Sequence, residues 1–440
     1  MLSVDREMSR REASGRPLQI AMTGAGFMGR GITLQLVKKM PGLRLAVICN
    51  RTLSRARDCY VAAGVPAEEI VTVDTPSQLE DAIQAGKYAI TEDYHNIVGA
   101  SSIEIVLEGT GHVEYGARVL VEAIDAGKHL VLLNAEVDAT IGPLLKFKAD
   151  KAGVLISGCD GDQPAVQMNL YRYVRALGLD PLLCGNIKGL QDRYRTPATQ
   201  AGFAAQWGMD PAMVTSFADG TKISFEQVLV ANATGMKVAT RGMMGVEHRG
   251  LIDEVVDRYD VDELRSFGGI VDYVIGAKPG PGCFVLAAAA DPGQAIWLDY
   301  GKLGKGPLYA FYTPQHLMAI EAPLSLARVG LQRDVVIAPL AGPVVDVVAI
   351  AKRPLRAGET IDGLGGYMTY GVCENAATAA EQRLLLMGLA EGCRLKTDIN
   401  QDVAISLDDI EPPPSSLAWQ LRAEQDALFS FSSSNQGQQI

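Results

Sequence analysis

A lysine in the middle of the chain is followed by residues that could assist it in proton transfer and phosphate binding. Lys188 is flanked by glycine and apolar residues, unlike a lysine on a solvated surface. A partly buried lysine has a lowered pKa and can exchange a proton near neutral pH. Asp192 is expected to pair with it, and Arg193 and Arg195 to hold a phosphate group. The alternative is a structural Lys–Asp pair with two surface arginines.

Two further segments carry polar residues at the predicted starts of helices. Asp160, Asp162 and Gln163 precede Pro164, which is typical of the first turn of a helix. We expect the two carboxylates to take part in proton transfer and Gln163 to contact substrate, although one carboxylate can cap the helix instead.

The second segment is Asp219-Gly220-Thr221-Lys222, followed by Glu226. Lys222 is a candidate for holding a substrate phosphate, and the alternative is a capping turn with a solvated lysine. Asn232, further along the same predicted helix, either faces substrate or packs in the core. His316 is interpreted as a helix-start residue.

A glycine motif near the N-terminus predicts a dinucleotide site. Gly24-x-Gly26-x-x-Gly29 follows a predicted strand and opens a predicted helix, which is the context that this motif requires. Its glycines permit a tight turn and close approach of the backbone to a pyrophosphate. Phe27 and Met28 complete the loop, where the helix N-terminus favours an anion.

The end of the second predicted strand favours NADP over NAD. Asn50-Arg51-Thr52 stands where an NAD enzyme carries a carboxylate for the ribose 2′-hydroxyl. Arg51 can form a bidentate pair with a 2′-phosphate, unless it is only a solvated loop charge. Ligands bind outside the carboxyl ends of strands in an open parallel sheet, so the next strand ends should line the nicotinamide ribose. These carry Gly109, Thr110 and Gly111, then Asn134 and Glu136.

Alternating strands and helices must position these residues. Residues 18–158 alternate short apolar runs with helical stretches, which predicts a Rossmann doubly wound parallel sheet of the α/β class. An α+β catalytic domain and then a small all-β module are expected after it. The predicted boundaries are 1–157 for the NADP-binding domain, 158–330 for the catalytic and oligomerisation domain, and 331–440 for the module, its last helix and a disordered Ser/Gln-rich tail.

Composition excludes several classes of protein. The 440 residues carry a formal net charge of −11, which argues against a nucleic-acid partner. No apolar run is long enough to span a membrane, and the charged N-terminal segment, interpreted as a loose arm, does not resemble a signal peptide. A cytoplasmic protein is expected. Its seven scattered cysteines predict neither disulfides nor a zinc site.

Residues 18 to about 330 resemble the homoserine dehydrogenase superfamily, through the glycine motif, the Gly-Thr-Gly turn, Asn134 and the lysine of the second domain. Homoserine dehydrogenases usually carry Asn-Lys at that strand end, and Glu136 replaces the lysine here. Residues 335–408 resemble a SAF (β-clip) domain. The combination resembles the DXR-like (DRL) reductoisomerases, through the segments Gly158–Pro164, Asn186–Gly189 and Asp219–Lys222.

That resemblance implies an NADPH-dependent conversion of 1-deoxy-D-xylulose 5-phosphate to 2-C-methyl-D-erythritol 4-phosphate, in isoprenoid precursor biosynthesis by the MEP pathway. Lys188, Asp160, Asp162 and Asp192 would be catalytic, in a homo-oligomer (dimer or tetramer). A divalent cation (Mg²⁺ or Mn²⁺) would sit among Asp160, Asp162 and Glu136 if one binds. Two alternatives stay open: an NADP-dependent enzyme acting on homoserine, another sugar or a sugar acid, and a cofactor-binding regulator or scaffold.

Overall fold

The first part of the structure is a seven-stranded parallel sheet with helices on both faces. The computed structural model describes residues 2–38 and 40–429, so the predicted disordered tail lies outside the described residues. The elements in chain order are α1 Leu2–Ala13, β1 Leu18–Thr23, α2 Phe27–Lys38, β2 Leu43–Cys49, α3 Leu53–Ala62, β3 Ile70–Thr72, α4 Pro76–Gln84, β4 Tyr88–Thr91, α5 His95–Gly99, β5 Ile105–Glu108, α6 Val113–Asp125, β6 His129–Leu132, α7 Ala135–Ala152 and β7 Ile156–Gly158.

The order of the strands places the glycine loop at a reversal point of the sheet. The order is β3-β4-β2-β1-β5-β6-β7, and every neighbouring pair is parallel. Thr23 at the end of β1 stands opposite Cys49 of β2 and Glu108 of β5. The loops that follow these three strands therefore open at one edge, where dinucleotides bind in doubly wound folds. The predicted α/β fold is confirmed.

The N-terminal segment is a helix and not the loose arm expected from its charges. Val4 and Met8, one helical turn apart, are buried on one side of α1. The carboxylate of Glu12 accepts a hydrogen bond from the backbone N–H of Gly42, at 2.8 Å. Two apolar anchors and this contact suffice to dock a helix that is otherwise strongly charged.

A second, five-stranded sheet follows. Its order is β12-β11-β8-β10-β9, with β11 antiparallel to both of its neighbours and the other pairs parallel. Its region contains α8 Gln163–Ala176, β8 Leu179–Lys188, α9 Pro197–Trp207, α10 Pro211–Asp219, α11 Thr221–Thr234, β9 Val246–Glu247, α12 Val261–Phe267, β10 Ile270–Ile275, β11 Gly282–Ala289, α13 Ala295–Tyr300, β12 Leu308–Thr313 and α14 Met318–Ala327.

The C-terminal region contains two small antiparallel strand pairs with short helices. Its elements are β13 Val345–Ala351, β14 Thr369–Asn375, α15 Ala376–Glu381, β15 Arg394–Leu395, β16 Ile410–Glu411 and α16 Leu417–Leu428. The rest of the predicted all-β module is largely irregular: residues 335–339 form no strand, and residues 403–406 contribute only isolated bridges at Ala404 and Ser406. The assignment of this region to the SAF type stays a prediction.

The three regions interlock. Helix α14, placed by prediction in the second domain, packs on α2, and its Ala322 and Leu326 are buried with the first sheet. Helix α16 returns to pack on α6 and α7. Both later regions therefore pack against helices of the first region. Among the described residues, no helix combines the length and the apolar character that crossing a bilayer requires.

Candidate active site

The glycine loop has the shape of a pyrophosphate cradle. Gly24 adopts φ +97°, and a Cβ atom there would lie 2.8 Å from the carbonyl oxygen of Gly109. A Cβ on Gly29 would lie 2.8 Å from the carbonyl oxygen of Gly24, so this position lets α2 approach β1 closely. A Cβ on Gly26 would meet no atom within 4 Å. Two of the glycines thus serve packing, while Gly26 faces open space above the helix start that Phe27 and Met28 form.

Of the residues that follow β2, Asn50 has a structural role and Arg51 is exposed. The side-chain oxygen of Asn50 accepts from the N–H of Ala25 at 3.2 Å, and its amide nitrogen donates to the carbonyl of Thr52 at 2.9 Å. Asn50 therefore holds the glycine loop against the end of β2. Arg51 is exposed and, within residues 2–38 and 40–429, forms no ion pair, which leaves its guanidinium free for a phosphate.

The ends of β5 and β6 are tied together by buried polar contacts. Glu108 accepts a hydrogen bond from the Thr110 N–H at 3.1 Å and another from the Thr110 hydroxyl. Burial raises the pKa of Glu108 to about 7. Asn134 is fully buried: its side chain accepts from the N–H of Val137 at 3.1 Å and caps α7. Gly109 and Gly111 stay accessible, whereas Asn134 positions the edge without facing the cleft.

A buried ion pair joins the two large regions at this edge. Lys222, in the first turn of α11, donates to Glu136, in the first turn of α7, at 2.9 Å. The exposed fractions of the two side chains are 10% and 3%. Burial lowers the pKa of Lys222, but three carboxylates, those of Glu136, Asp162 and Glu226, outweigh burial and raise it. Lys222 is thus a permanent cation.

Glu226 lies one helical turn after Lys222 and is enclosed by amides. The Asn186 amide donates to it at 3.0 Å, and Gln167 donates to the Asn186 oxygen at 2.7 Å. In the amide orientation that satisfies its hydrogen bonds, Gln163 donates to both oxygens of Glu226, at 2.7 and 3.1 Å. Burial, the largest cause, raises the pKa of Glu226 to about 8, so it carries a proton at neutral pH.

Asp162 and His316 face the same group of charges. Asp162 caps α8 by accepting from the N–H of Gln163 at 3.1 Å, and it is buried. Burial raises the pKa of Asp162 against the opposing effects of Lys222 and His316. The ring Nδ1 of His316 is buried and has no hydrogen-bond partner among the described residues. His316 was predicted only as a helix-start residue, and nothing local in its sequence shows that it reaches Asp162.

Lys188 ends β8 beside these groups. Its ammonium donates to the carbonyl of Phe217 at 2.9 Å and not to Asp192 as predicted. Burial lowers the pKa of Lys188, and the charges of Glu226 and Asp219 only partly oppose this effect. We call Glu136, Asp162, Lys188, Lys222 and Glu226 the charged cluster. Within it, the pKa of Lys188 is lowered, whereas the pKa values of Asp162 and Glu226 are raised. Groups with pKa values shifted in this way are suited to acid–base chemistry.

Comparison with known proteins finds one family model that matches the middle of the chain. Residues 161–322 match the model of a family described as oxidoreductase DRL, catalytic domain. The match covers four members of the charged cluster, Glu136 lying outside it. It indicates that the chain is an oxidoreductase. No curated protein sequence matches the chain.

Solved structures resemble the chain only loosely. A 1-deoxy-D-xylulose 5-phosphate reductoisomerase from Zymomonas mobilis in complex with NADPH is 15% identical, with TM-score 0.36, over 49% of this chain and 58% of that one. A DOX-P reductoisomerase with fosmidomycin and magnesium is also 15% identical, with TM-score 0.41, over 70% and 68%. A scyllo-inositol dehydrogenase from Lactobacillus casei is 13% identical, with TM-score 0.33, over 67% and 76%. Overlaps with TM-scores this low carry no argument about function.

Asp160, predicted as catalytic, is turned away from the charged cluster. Its carboxylate accepts from Ser325 at 2.7 Å, from Asn169 at 2.8 Å and from Arg328 at 3.1 Å. The Asp160 side chain is fully buried in this network, which ties α14 to the end of β7. These contacts assign it a positioning role in place of the predicted proton transfer, and they take it out of the predicted metal site.

The residues after Lys188 also lie apart from the charged cluster. Asp192 pairs with Arg195 at 3.0 Å, so their charges compensate each other, although the Arg195 Nε atom makes no hydrogen bond among the described residues. The Arg193 guanidinium lies over the ring of Tyr370, 5.7 Å from its centroid, in a neighbouring cavity. The structure therefore does not bring Asp192, Arg193 or Arg195 to the predicted substrate site.

Asn232, predicted to bind substrate, packs in the core. It is 2% exposed, and its side-chain oxygen accepts from the backbone N–H groups of Val344 and Val345, at 2.8 and 3.0 Å. It therefore joins α11 to the start of β13. Of its two predicted alternatives, the structure shows the packing role.

Proposed function

We propose that this protein is an NADPH-dependent reductoisomerase that converts 1-deoxy-D-xylulose 5-phosphate to 2-C-methyl-D-erythritol 4-phosphate. The observation that carries this proposal is the match of residues 161–322 to the DRL catalytic domain. That segment contains four members of the charged cluster, which lie at the edge of the seven-stranded sheet: Asp162, Lys188, Lys222 and Glu226. Glu136, in the first turn of α7, completes the cluster through its bond to Lys222.

The residues present fit a dinucleotide with a 2′-phosphate. Open space at Gly26 and the start of α2 suit a pyrophosphate, since the first N–H groups of a helix have no partner within it. Exposed Arg51 suits the 2′-phosphate. When bound, the reduced nicotinamide supplies the hydride that turns an aldehyde into an alcohol.

The charged cluster can carry out the proton transfers of the rearrangement. In a retroaldol step, a base removes a substrate hydroxyl proton, and the electron pair of the breaking carbon–carbon bond leaves on an enolate. A proton then passes from the neighbouring hydroxyl group to the enolate oxygen, so that the adjacent carbon becomes the nucleophile. The aldol step uses the electron pair for the new carbon–carbon bond at that carbon, and the aldehyde oxygen that it attacks takes back a proton. Asp162 is the candidate base, because its pKa is raised towards neutrality by burial. The permanent charge of Lys222 stabilises developing oxyanions.

Reduction of the aldehyde leaves an alkoxide that needs one proton. Lys188 and Glu226 are the candidate proton donors, since burial lowers the pKa of Lys188 and raises the pKa of Glu226 to about 8. The overall balance is one hydride and one proton added to the substrate.

The described residues do not fit the predicted divalent cation. No group of three or more His, Cys, Asp or Glu side chains among them has metal-binding geometry. Asp160 is bonded to Arg328, and the Lys222 ammonium occupies the position next to Glu136. We therefore derive no step through a metal and assign the cationic role to Lys222.

The experiment is a turnover assay on the purified full chain with NADPH and 1-deoxy-D-xylulose 5-phosphate, with Mg²⁺ present. We expect oxidation of NADPH and formation of methylerythritol phosphate, identified by mass spectrometry. The dephosphorylated sugar should react far more slowly. Absence of oxidation with this substrate, combined with activity on homoserine or a sugar acid, would refute the reductoisomerase and leave an oxidoreductase of another specificity.

The choice of NADPH is tested separately at Arg51. Arg51→Ser should weaken NADPH binding roughly tenfold or more, because one charge-assisted phosphate contact is lost. NADH binding should stay unchanged, since NADH has no 2′-phosphate. Fluorescence titration of both nucleotides measures the two effects, and an equal loss for both would contradict the role of Arg51.

The homo-oligomer stays a prediction. Helix α13 exposes large apolar side chains, with Ile296, Trp297 and Tyr300 between 70% and 80% exposed. Apolar surface of this kind commonly marks a protein contact. If a second copy covers it, Trp297→Glu should shift the mass measured by sedimentation equilibrium towards that of one chain.

A further inference from the structure

A second cavity lies between the second region and the C-terminal region. Its volume is about 530 Å³, within the range of ~300–1,000 Å³ that small-molecule sites occupy. The C-terminal region contributes Ile350, Tyr370 and Asp402, and the second region contributes Gln191, Arg193 and Tyr273. No member of the charged cluster lines it. The cavity is therefore lined by a different set of residues from the charged cluster, although Asp219 of its wall acts on Lys188.

The carboxylates of this cavity are engaged with protein groups. Asp192 pairs with Arg195 at 3.0 Å, and Asp219 pairs with Lys352 at 2.9 Å. Asp402 accepts from the hydroxyl of Tyr370 at 2.9 Å, and its other oxygen accepts from a second tyrosine. The negative charges on the cavity wall are thus hydrogen-bonded or neutralised.

Arg193 differs from these carboxylates because its charge is not paired within the described part of the chain. Among residues 2–38 and 40–429, no carboxylate lies within salt-bridge distance of it, and its hydrogen-bond partner is the Tyr370 hydroxyl at 3.4 Å. The other arginine of the wall, Arg241, pairs with Glu374 at 2.6 Å. Arg193 therefore presents a guanidinium on the cavity wall beside Tyr370. Only the longer-range charge of Asp402 acts against it, so its own charge is available to an anion.

A buried acceptor inside the cavity lacks a donor. Gln191 donates its amide N–H to the Tyr273 hydroxyl at 2.8 Å. Its side-chain oxygen is buried and has no hydrogen-bond partner among the described residues. A buried polar atom without a partner is costly, so rotation of the Gln191 amide towards a ligand hydroxyl group in the cavity would relieve that cost. The buried phenol groups of Tyr273 and Tyr370 add further hydroxyl-binding positions.

We propose that this cavity is a second ligand site that binds a small phosphorylated polyol, with the phosphate on Arg193 and hydroxyl groups on Gln191 and the two tyrosines. The C-terminal region then acts as one wall of a metabolite site. Binding here is independent of turnover, so it can be measured whether or not the reductoisomerase reaction is found.

The test is calorimetric titration of the full chain with sn-glycerol 3-phosphate, in the presence of saturating NADP⁺ to fill the phosphate positions of the dinucleotide cleft. Glycerol serves as the uncharged comparison. We expect one equivalent of glycerol 3-phosphate to bind and glycerol to give no measurable heat. Arg193→Met should weaken binding roughly tenfold or more, since it removes the charged contact without touching the core.

A matched control exists on α8. Arg175 lies over the Tyr171 ring at 5.9 Å and donates to its hydroxyl at 3.3 Å, reproducing the Arg193–Tyr370 geometry outside the cavity. Arg175→Met should leave the affinity unchanged. Equal affinity in the Arg193→Met variant and the wild type, or no binding of glycerol 3-phosphate at millimolar concentration, would overturn the site.

Discussion

At the scale of single residues, the site contains two lysines in opposite electrostatic surroundings. Lys222 is bonded to Glu136 and faces two more carboxyl groups. Together these three groups raise its pKa by more than burial lowers it. Lys188 donates only to a backbone carbonyl, and burial lowers its pKa. The same side chain is therefore a fixed charge in one position and a proton carrier in the other.

Replacing Lys188 by alanine should separate chemistry from cofactor binding. We expect turnover to fall about 100-fold or more, the typical contribution of a positioned proton donor. The dissociation constant of NADPH should stay within about twofold, because Lys188 belongs to the second sheet. The matched control is Lys128→Ala: this lysine is also buried and donates to a carbonyl, that of Ala100, at 2.6 Å. Turnover of Lys188→Ala within a few-fold of wild type would remove Lys188 from the mechanism.

The pH dependence of turnover should identify Glu226. Burial raises the pKa of its carboxyl to about 8, so it is protonated below that pH and loses its proton above it. If it donates a proton, kcat should be level below pH 8 and fall about tenfold per pH unit above it. Glu226→Gln cannot ionise, so its kcat should be lower and free of the alkaline fall. Asp138→Asn, at another buried carboxyl with a raised pKa, should keep the fall. An alkaline limb that persists in Glu226→Gln would assign it to another group.

At the scale of elements, the turn between β1 and α2 shows that the glycines of one motif are required for different physical reasons. Gly24 and Gly29 are required by the protein's own backbone, since a Cβ at either would lie 2.8 Å from a carbonyl oxygen. Gly26 has free space around its Cβ position, so the fold alone does not require glycine there. A requirement at Gly26 must then come from a ligand.

Alanine substitutions should separate these reasons. Gly26→Ala should leave the melting temperature within about a degree and weaken NADPH binding about tenfold or more, since its methyl group fills space meant for the pyrophosphate. Gly29→Ala should lower the melting temperature by several degrees, because a backbone contact must open. Thermal denaturation and fluorescence titration test both variants. Undiminished NADPH binding by Gly26→Ala would place the cofactor elsewhere.

The elements that the sequence predicted are those with a strong local signal. Strands β1 and β2 are short, mainly apolar runs followed by Gly24 and Asn50, and α16 begins at a serine cap. Helix α1 and the short strand β4 were missed. Helix α1 depends on contacts with Gly42 and the first sheet, and β4 is a four-residue strand that pairs between β3 and β2. Both owe their conformation to distant parts of the chain.

The same distinction applies to the site residues. Asp160 and Asp162 stand two positions apart and look equivalent in sequence, yet Arg328 and Ser325 bind the first and leave the second to the charged cluster. His316 joins Asp162 from a segment more than 150 residues later. Sequence spacing found the segments that carry the chemistry. The direction of each side chain depends on tertiary packing, which spacing does not encode.

At the scale of the whole molecule, α16 fastens the C-terminal region to the first sheet. The Arg422 guanidinium donates to both oxygens of Asp346, on β13, at 2.7 and 2.8 Å. It also donates to the carbonyl of Thr140 in α7 at 3.2 Å. The Gln425 oxygen accepts from the N–H of Leu144 at 3.0 Å. One buried arginine thus links elements from both ends of the chain, and its loss should affect the whole fold.

Substitution of Arg422 should therefore destabilise the protein far more than substitution of a surface arginine. Arg422→Met leaves the Asp346 carboxylate, 2% exposed, without a cation, which costs about 3–5 kcal/mol for a buried pair. Arg10→Met, which breaks an exposed pair with Glu7, should cost less than about 1 kcal/mol. The double variant Asp346→Leu/Arg422→Met should recover part of the loss, since no buried charge is left unpaired. Urea denaturation measures all three. A double variant as unstable as the sum of the two single substitutions would show that packing around α16, and not the ion pair, holds the regions together.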